Sequence, residues 1–139
     1  MGHHFNYDSI VELSSSSFKD AIGEILSTSS LKESISEIAS ELEAKENENT
    51  SYIGNRIAIP HLRLDFSSPY EICIGWSKNG VRYGFANVEE RMRVIVLLLV
   101  SKKEHNFLKI IANLVNFFQK LSVIRPLQKA ETFEAFKAV

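Results

Sequence analysis

The chain has 139 residues, 45% apolar and 24% charged, which is typical of a globular domain with a sizeable buried core. Sixteen basic and seventeen acidic residues leave a net charge of -1, which disfavours a dedicated nucleic-acid-binding protein. The only cysteine, Cys73, cannot form an internal disulfide, and the longest apolar run, Val94 to Val100, is far shorter than the roughly 20 residues that span a bilayer.

From these properties we expect residues 1–139 to form one domain that is cytoplasmic and not stably inserted in a membrane. The adjacent histidines His3 and His4 lie near the N-terminus and are assigned no role.

Two amphipathic helices are predicted first. Ser17 followed by Asp20 resembles a capping box, and Ser30 followed by Glu33 repeats the pattern before a helix that ends in the polar stretch 45–50. The apolar residues at helical spacing are Phe18, Ile22, Ile25 and Leu26 in the first helix and Leu31, Ile35, Ile38, Ala39 and Leu42 in the second.

A short apolar strand comes next, at Ile57 to Ile59. Pro60 closes it, because proline cannot donate to a sheet ladder. His61 is therefore predicted where a strand gives way to a loop.

The next strands are predicted from alternation and from a turn signal. Apolar residues alternate from Tyr70 to Trp76, and Asn79-Gly80 predicts a hairpin turn into an antiparallel strand at Val81 to Tyr83. The continuous run from Val94 to Val100 predicts a central strand that is buried on both faces.

Further helices are predicted to cover this strand. Ser101 with Glu104 is a third capping-box pattern, which places His105 in the first turns of a helix with a wide apolar face. Pro126 interrupts the segment after that helix, and residues 131–138 suggest a short closing helix. The predicted fold class is α/β, with a mixed β-sheet flanked by helices on both faces.

His61 is the first candidate for chemistry. A neutral imidazole nitrogen is a good nucleophile near neutral pH, which suits reversible phosphoryl transfer. By spacing alone, an exposed loop histidine without a role remains an alternative. A zinc site built from His61 and His105 lacks further ligands at a recognisable spacing, so no metal is expected. Asp65, Glu89 and Glu90 are interpreted as surface residues, and Trp76 and the C-terminal phenylalanines as core.

The segment 50–61 carries a family resemblance. It begins with Thr50, contains Gly54 and ends in Ile57-Ala58-Ile59-Pro60-His61. This pattern resembles the phosphorylation segment of the fructose/mannitol-type (type 2) EIIA domains of the bacterial phosphotransferase system, which include the nitrogen-regulatory, PtsN-like branch. The order of the other predicted elements is similar to that of a whole EIIA domain.

The resemblance implies roles for four side chains. It assigns His61 as the phosphoacceptor and His105 as a second histidine that lines the same site. Arg63 occupies a position where family members often carry a basic residue, and Lys45 stands where an arginine often contributes to the site, so both are candidates to bind the phosphoryl group. Many members have Gly or Ala where this chain has Leu62, and a bulky residue there would reshape docking.

The function implied is a phosphotransferase that needs no cofactor. An HPr- or NPr-type protein would phosphorylate His61, and the group would pass to an EIIB domain of a sugar transporter, or the phosphorylation state would alter binding to a regulatory target. Exposed apolar residues such as Leu62 and Phe66 would form the docking patch. The alternative is a non-catalytic domain of the same fold that binds a partner protein without transferring a phosphoryl group.

Overall fold

The computed structural model describes residues 5–139, so His3 and His4 lie outside the described residues. Six strands of this part of the chain form one sheet. The strands are β1 (Ser9–Glu12), β2 (Tyr52–Gly54), β3 (Ile57–Ala58), β4 (His61–Leu64), β5 (Tyr70–Val81) and β6 (Met92–Ser101). The α-helices are α1 (Phe18–Leu26), α2 (Ile35–Glu48), α3 (Phe107–Phe118), α4 (Leu121–Lys129) and α5 (Phe133–Lys137).

The sheet is mixed, as predicted. Its strand order is β1-β5-β6-β3-β2, and β4 pairs with β6 beyond the end of β3. β5 and β6 are antiparallel, whereas β1 is parallel to β5, and both β3 and β4 are parallel to β6. The α/β fold class is confirmed. Strands β1, β2 and β4 were not predicted.

Strand β6 is buried on both faces, which confirms the prediction for the apolar run. Its side chains alternate between two core clusters. Ile95, Leu97 and Leu99 pack with residues of α1 and α2, and Val94, Val96, Leu98 and Val100 pack with residues of α3, α4 and α5. Trp76, Phe117, Phe118 and Phe136 are buried, which confirms them as core, whereas Phe107 and Phe133 are only partly buried against the same cluster.

The two N-terminal helices differ in how they begin. Ser17 caps α1 as predicted, because its side chain accepts a hydrogen bond from the backbone N–H of Asp20 at 3.4 Å. Ser30 does not cap α2. It binds the buried Glu71 carboxylate through its backbone N–H at 2.9 Å and its hydroxyl at 2.5 Å. Helix α2 instead begins at Ile35, after a 3-10 turn over Lys32–Ser34.

The hairpin predicted at Asn79-Gly80 is wrong. β5 continues through this pair to Val81, and its register against β6 shifts between Trp76 and Val81. Gly80 has a φ of +87° and a Cβ there would lie 2.5 Å from Cβ of Arg91, so the residue forms a bulge where only glycine fits. Asn79-Gly80 indicated a positive φ correctly, since Gly80 has one. The strand that pairs with β5 is β6, however, and not residues 81–83.

The prediction of a loop after Pro60 is also wrong. Pro60 interrupts the strand only briefly, since its carbonyl accepts a hydrogen bond from the Leu98 N–H at 2.9 Å and β4 starts at the next residue. Strands β3 and β4 are thus two successive segments along the same edge of β6. His61 is the first residue of β4, and rigid sheet backbone continues beyond it.

The third capping-box pattern does not begin α3. Ser101 and Glu104 close a turn, in which the Glu104 N–H donates to the Ser101 carbonyl at 3.0 Å, and α3 begins at Phe107. His105 therefore lies in the turn before the helix. Pro126 lies within α4 rather than interrupting the chain, at the loss of one helical hydrogen bond.

Among residues 5–139, no single helix is long and apolar enough to cross a membrane. Helices α3 and α4 reach that length and composition only together, as a pair bent by 62°.

Candidate active site

Strand β4 places His61 and Arg63 on the same face of the sheet. Side chains alternate along a strand, and Leu62 between them packs into the cluster formed with α1 and α2. His61 and Arg63 therefore face the side of α3, and the Arg63 guanidinium lies over the Phe107 ring at 4.1 Å from its centroid. His61 is half-buried.

The surroundings of His61 favour its neutral form. Burial and, after it, the positive charge of Lys45 lower the pKa of His61 below its ordinary 6.5, while the Ile59 backbone and the Glu46 carboxylate act in the opposite direction. Nδ1 is buried and has no hydrogen-bond partner of normal geometry among residues 5–139.

Lys45 contacts the backbone of His61. Its Nζ donates a hydrogen bond to the His61 carbonyl oxygen at 2.8 Å. The Pro60 carbonyl accepts from Leu98 of β6 and the Leu64 carbonyl from Lys102, just after β6, so the His61 carbonyl between them points toward the free edge of the strand. Burial lowers the pKa of the Lys45 amine, and the nearby Glu46 carboxylate raises it.

A buried polar network lies next to Lys45 and was not predicted. The Tyr83 hydroxyl donates a short hydrogen bond to the Glu46 carboxylate, which also accepts from the Ser51 N–H at 3.0 Å. The Thr50 hydroxyl lies 2.7 Å from the Tyr83 oxygen. Burial and the hydrogen bond to Glu46 raise the pKa of Tyr83 to about 12. The network therefore fixes the start of the 50–61 segment to the end of α2.

One signal in the sequence could have found Glu46. Ile38 and Leu42 lie on the buried face of α2, and Glu46 continues the same series at i+4. A carboxylate on an apolar helix face is buried only where hydrogen-bond donors meet it. The sequence shows no comparable signal for Tyr83, which comes from a distant loop.

Arg63 binds the turn that carries His105. Its Nη2 donates to the carbonyl oxygens of Lys102 at 2.8 Å and Glu104 at 3.0 Å. Its Nε is buried without a partner in the described part of the chain. The guanidinium is thus directed at backbone carbonyls rather than at open solvent.

His105 is exposed, and its ring makes no hydrogen bond to any other described residue. Its backbone turn comes after the end of β6, beside the end of β4, because the Lys102 N–H also donates to the Leu64 carbonyl at 3.0 Å. Arg63 therefore connects the strand of the first histidine with the turn of the second.

The predicted docking patch needs a correction. Leu62 is only 9% exposed and belongs to the core, because its side chain points away from the face of His61. Phe66 is half-buried and packs against the same core cluster. The large exposed apolar side chain near His105 is Leu108, at 69% exposure on the first turn of α3. Asp65, Glu89 and Glu90 are exposed, as predicted.

Residues 5–139 contain no group of three or more His, Cys, Asp or Glu side chains that could hold a metal ion.

Almost the whole chain matches one protein-family model. Residues 4–139 match the family model described as phosphoenolpyruvate-dependent sugar phosphotransferase system, EIIA 2. A search of curated proteins returned no match.

Several solved structures share the fold. The nitrogen regulatory protein IIA-Ntr from Neisseria meningitidis superposes with a TM-score of 0.70 at 22% identity, covering 94% of this chain and 91% of that chain. IIA mannitol from Escherichia coli gives 0.64 at 15% identity, covering 94% of both chains. A complex of enzyme IIA-mannitol with phosphorylated enzyme IIB-mannitol from the same organism gives 0.60 at 19% identity, covering 92% and 90%.

Proposed function

The chain belongs to the EIIA 2 family of the phosphoenolpyruvate-dependent sugar phosphotransferase system, and we propose that His61 is its phosphoacceptor. In this proposal an HPr- or NPr-type protein donates the phosphoryl group in the cytoplasm. The observation that carries it is the half-buried imidazole of His61, whose pKa is lowered so that the ring stays neutral and nucleophilic.

The burial of Nδ1 supports Nε2 as the reactive atom. Since Nδ1 is enclosed by protein, Nε2 is the nitrogen that a donor protein can reach. The Nε2 lone pair attacks phosphorus, the N–P bond forms, and the bond from phosphorus to the donor breaks. The proton stays on Nδ1, and the Ile59 backbone and the Glu46 carboxylate favour the positive charge that the ring then carries.

Charge and positioning supply the rest of the catalysis, because phosphoryl transfer needs little covalent chemistry from the protein. Lys45 places a positive charge beside His61 and attracts the incoming anion. His105 is proposed to line the same site, on the turn that Arg63 holds. Leu62 does not stand in the way of docking, since its bulk lies in the core.

Two outlets fit this chemistry. The group passes to an EIIB-type domain, the kind of partner seen with IIA-mannitol, or the phosphorylated state changes the affinity for a regulatory target. A non-catalytic binding domain of the same fold is the competing function. A neutral, partly buried His61 favours the phosphocarrier over it.

The test is incubation with phosphoenolpyruvate, enzyme I and HPr- or NPr-type donors, with intact mass as the readout. We expect one acid-labile phosphoryl group in the parent chain and none in His61→Gln. His105→Ala should still accept the group, but more slowly. Melting temperatures of both variants control for loss of fold.

Either of two results would contradict the proposal: no phosphorylation of the folded parent chain with any such donor, or undiminished phosphorylation of His61→Gln. Adding an EIIB-type domain to the phosphorylated chain then distinguishes the outlets. Loss of the group to EIIB supports transport, and its retention supports regulation.

A further inference from the structure

Arg63 makes contacts that a simple phosphate ligand would not need. Its Nη2 donates to two carbonyl oxygens of one turn, those of Lys102 and Glu104, and its guanidinium carbon lies over the Phe107 ring, 4.1 Å from the centroid. A flat guanidinium can lie over an aromatic ring while one of its nitrogens donates to two carbonyl oxygens, whereas a lysine ammonium is a compact point charge.

The turn has few other links to β4. The Lys102 N–H bonds to the Leu64 carbonyl at its beginning, and the remaining bonds are local, such as the Asn106 N–H to the Glu104 carboxylate at 3.0 Å. His105 itself is exposed and its ring is not hydrogen-bonded within residues 5–139. The position of that ring relative to β4 therefore depends on the Arg63 bond to Glu104, the residue just before it.

We propose that Arg63 is a positioning residue, which clamps the 102–106 turn to β4 and so sets the placement of His105 relative to His61. It acts through His105 rather than by binding the phosphoryl group as a charge. This inference rests on the proposed function for its effect on transfer. The clamp itself is a structural claim and does not depend on that function.

The two roles predict different results for Arg63→Lys. A lysine keeps the positive charge but loses the flat donor group that lies over Phe107, so a charge role is rescued and a clamp is not. We expect Arg63→Lys and Arg63→Ala to slow phosphorylation alike, by about 10- to 100-fold, the range that small misplacements of reacting groups cause. Arg125, exposed on α4, offers the control pair Arg125→Lys and Arg125→Ala, which should leave the rate unchanged.

A double-mutant cycle tests whether Arg63 acts through His105. If it does, Arg63→Ala adds little to the loss already caused by His105→Ala. The inference would be overturned if the double variant lost the product of the two single-variant rate losses, or if Arg63→Lys restored the rate.

The unphosphorylated protein supplies the readout that is independent of activity. Amide hydrogen exchange at Asn106 should accelerate in both Arg63 variants, and the NMR signals of the His105 ring should move toward those of a mobile histidine. Unchanged exchange and unchanged ring signals would overturn the clamp even if transfer slows. If the parent chain is not phosphorylated at all, the proposed function fails, while these measurements still decide the clamp.

Discussion

The ammonium group of Lys45 donates a 2.8 Å hydrogen bond to the carbonyl oxygen of His61, so the two residues are joined through the backbone of one and the side chain of the other. This contact has two consequences. It satisfies a carbonyl at the free edge of β4, and it holds a positive charge near the imidazole. The family resemblance suggested phosphoryl binding at this position, and the structure shows that the lysine charge lowers the pKa of His61.

Removing this charge should raise the pKa of His61. Lys45→Met keeps most of the side-chain volume but deletes the ammonium group, which lowers the His61 pKa in the parent chain. An NMR titration of the His61 ring should therefore show a higher midpoint in Lys45→Met, whereas Lys45→Arg should keep the low midpoint. An unchanged midpoint in Lys45→Met would assign the shift to burial alone.

The lowered pKa of His61 also predicts how stability depends on pH. Between the folded pKa and 6.5, the unfolded chain binds a proton that folded His61 does not. The contribution of this residue to stability is therefore present above pH 6.5 and declines as pH falls below it. Urea denaturation from about pH 7.5 to about pH 5 should show a smaller decline for His61→Gln than for the parent chain, and equal declines would contradict the shift.

Tyr83 is predicted to stabilise the segment that leads to His61. Tyr83→Phe removes a donor from the buried Glu46 carboxylate and should lower the free energy of unfolding by about 1–3 kcal/mol. Urea denaturation measures the change. Tyr70→Phe is the matched control, since Tyr70 is 41% exposed and should change little. Similar effects of the two substitutions would mean that the network adds no stability.

Gly75 permits close packing of α1 on β5. A Cβ at this position would lie 2.8 Å from Cδ1 of Ile25 and 2.9 Å from Cδ1 of Leu13. Gly75→Ala should therefore destabilise the protein by about 1–3 kcal/mol. Gly23→Ala is the contrasting control, because its Cβ would meet Ile35 at an ordinary 3.8 Å and alanine favours a helix. Thermal melts should move in opposite directions, and a neutral Gly75→Ala would refute the packing argument.

Cys73 should be chemically inert in the folded protein. Its side chain is fully buried, and burial raises the pKa of the thiol to about 12. A thiol-specific colorimetric reagent at about pH 8 should react with one group per chain only after denaturation. Rapid reaction of the native protein would show that this part of β5 opens readily.

Short-range patterns in the sequence predicted much of the fold. Ser17 and Asp20 form the cap of α1 within one helical turn. The run 94–100 is continuously apolar, which is typical of a strand with core on both of its faces. The resemblance of residues 50–61 to EIIA domains pointed to the family that the comparison with family models showed. These signals are local, so few residues are enough to carry them.

Other features depended on partners that lie far away in the sequence. Asn79-Gly80 predicted a turn, but the pairing of β5 with β6 made it a bulge. Ser30 carried a cap signal, but its donors bind the buried Glu71 carboxylate instead. In each case a long-range hydrogen bond or strand pairing outweighed a local preference, because a buried polar group must be satisfied wherever its partner lies.

The sequence by itself determined the helical and buried segments, the family, and His61 as the candidate phosphoacceptor, since periodicity and a contiguous motif need no knowledge of distant contacts. Only the tertiary structure decided that Lys45 meets the His61 carbonyl, that Tyr83 meets Glu46, and that Arg63 holds the turn before α3. These contacts join residues separated by 16, 37 and 41 positions. Chain folding brings such residues together, and no local pattern encodes which of the many possible pairs will form.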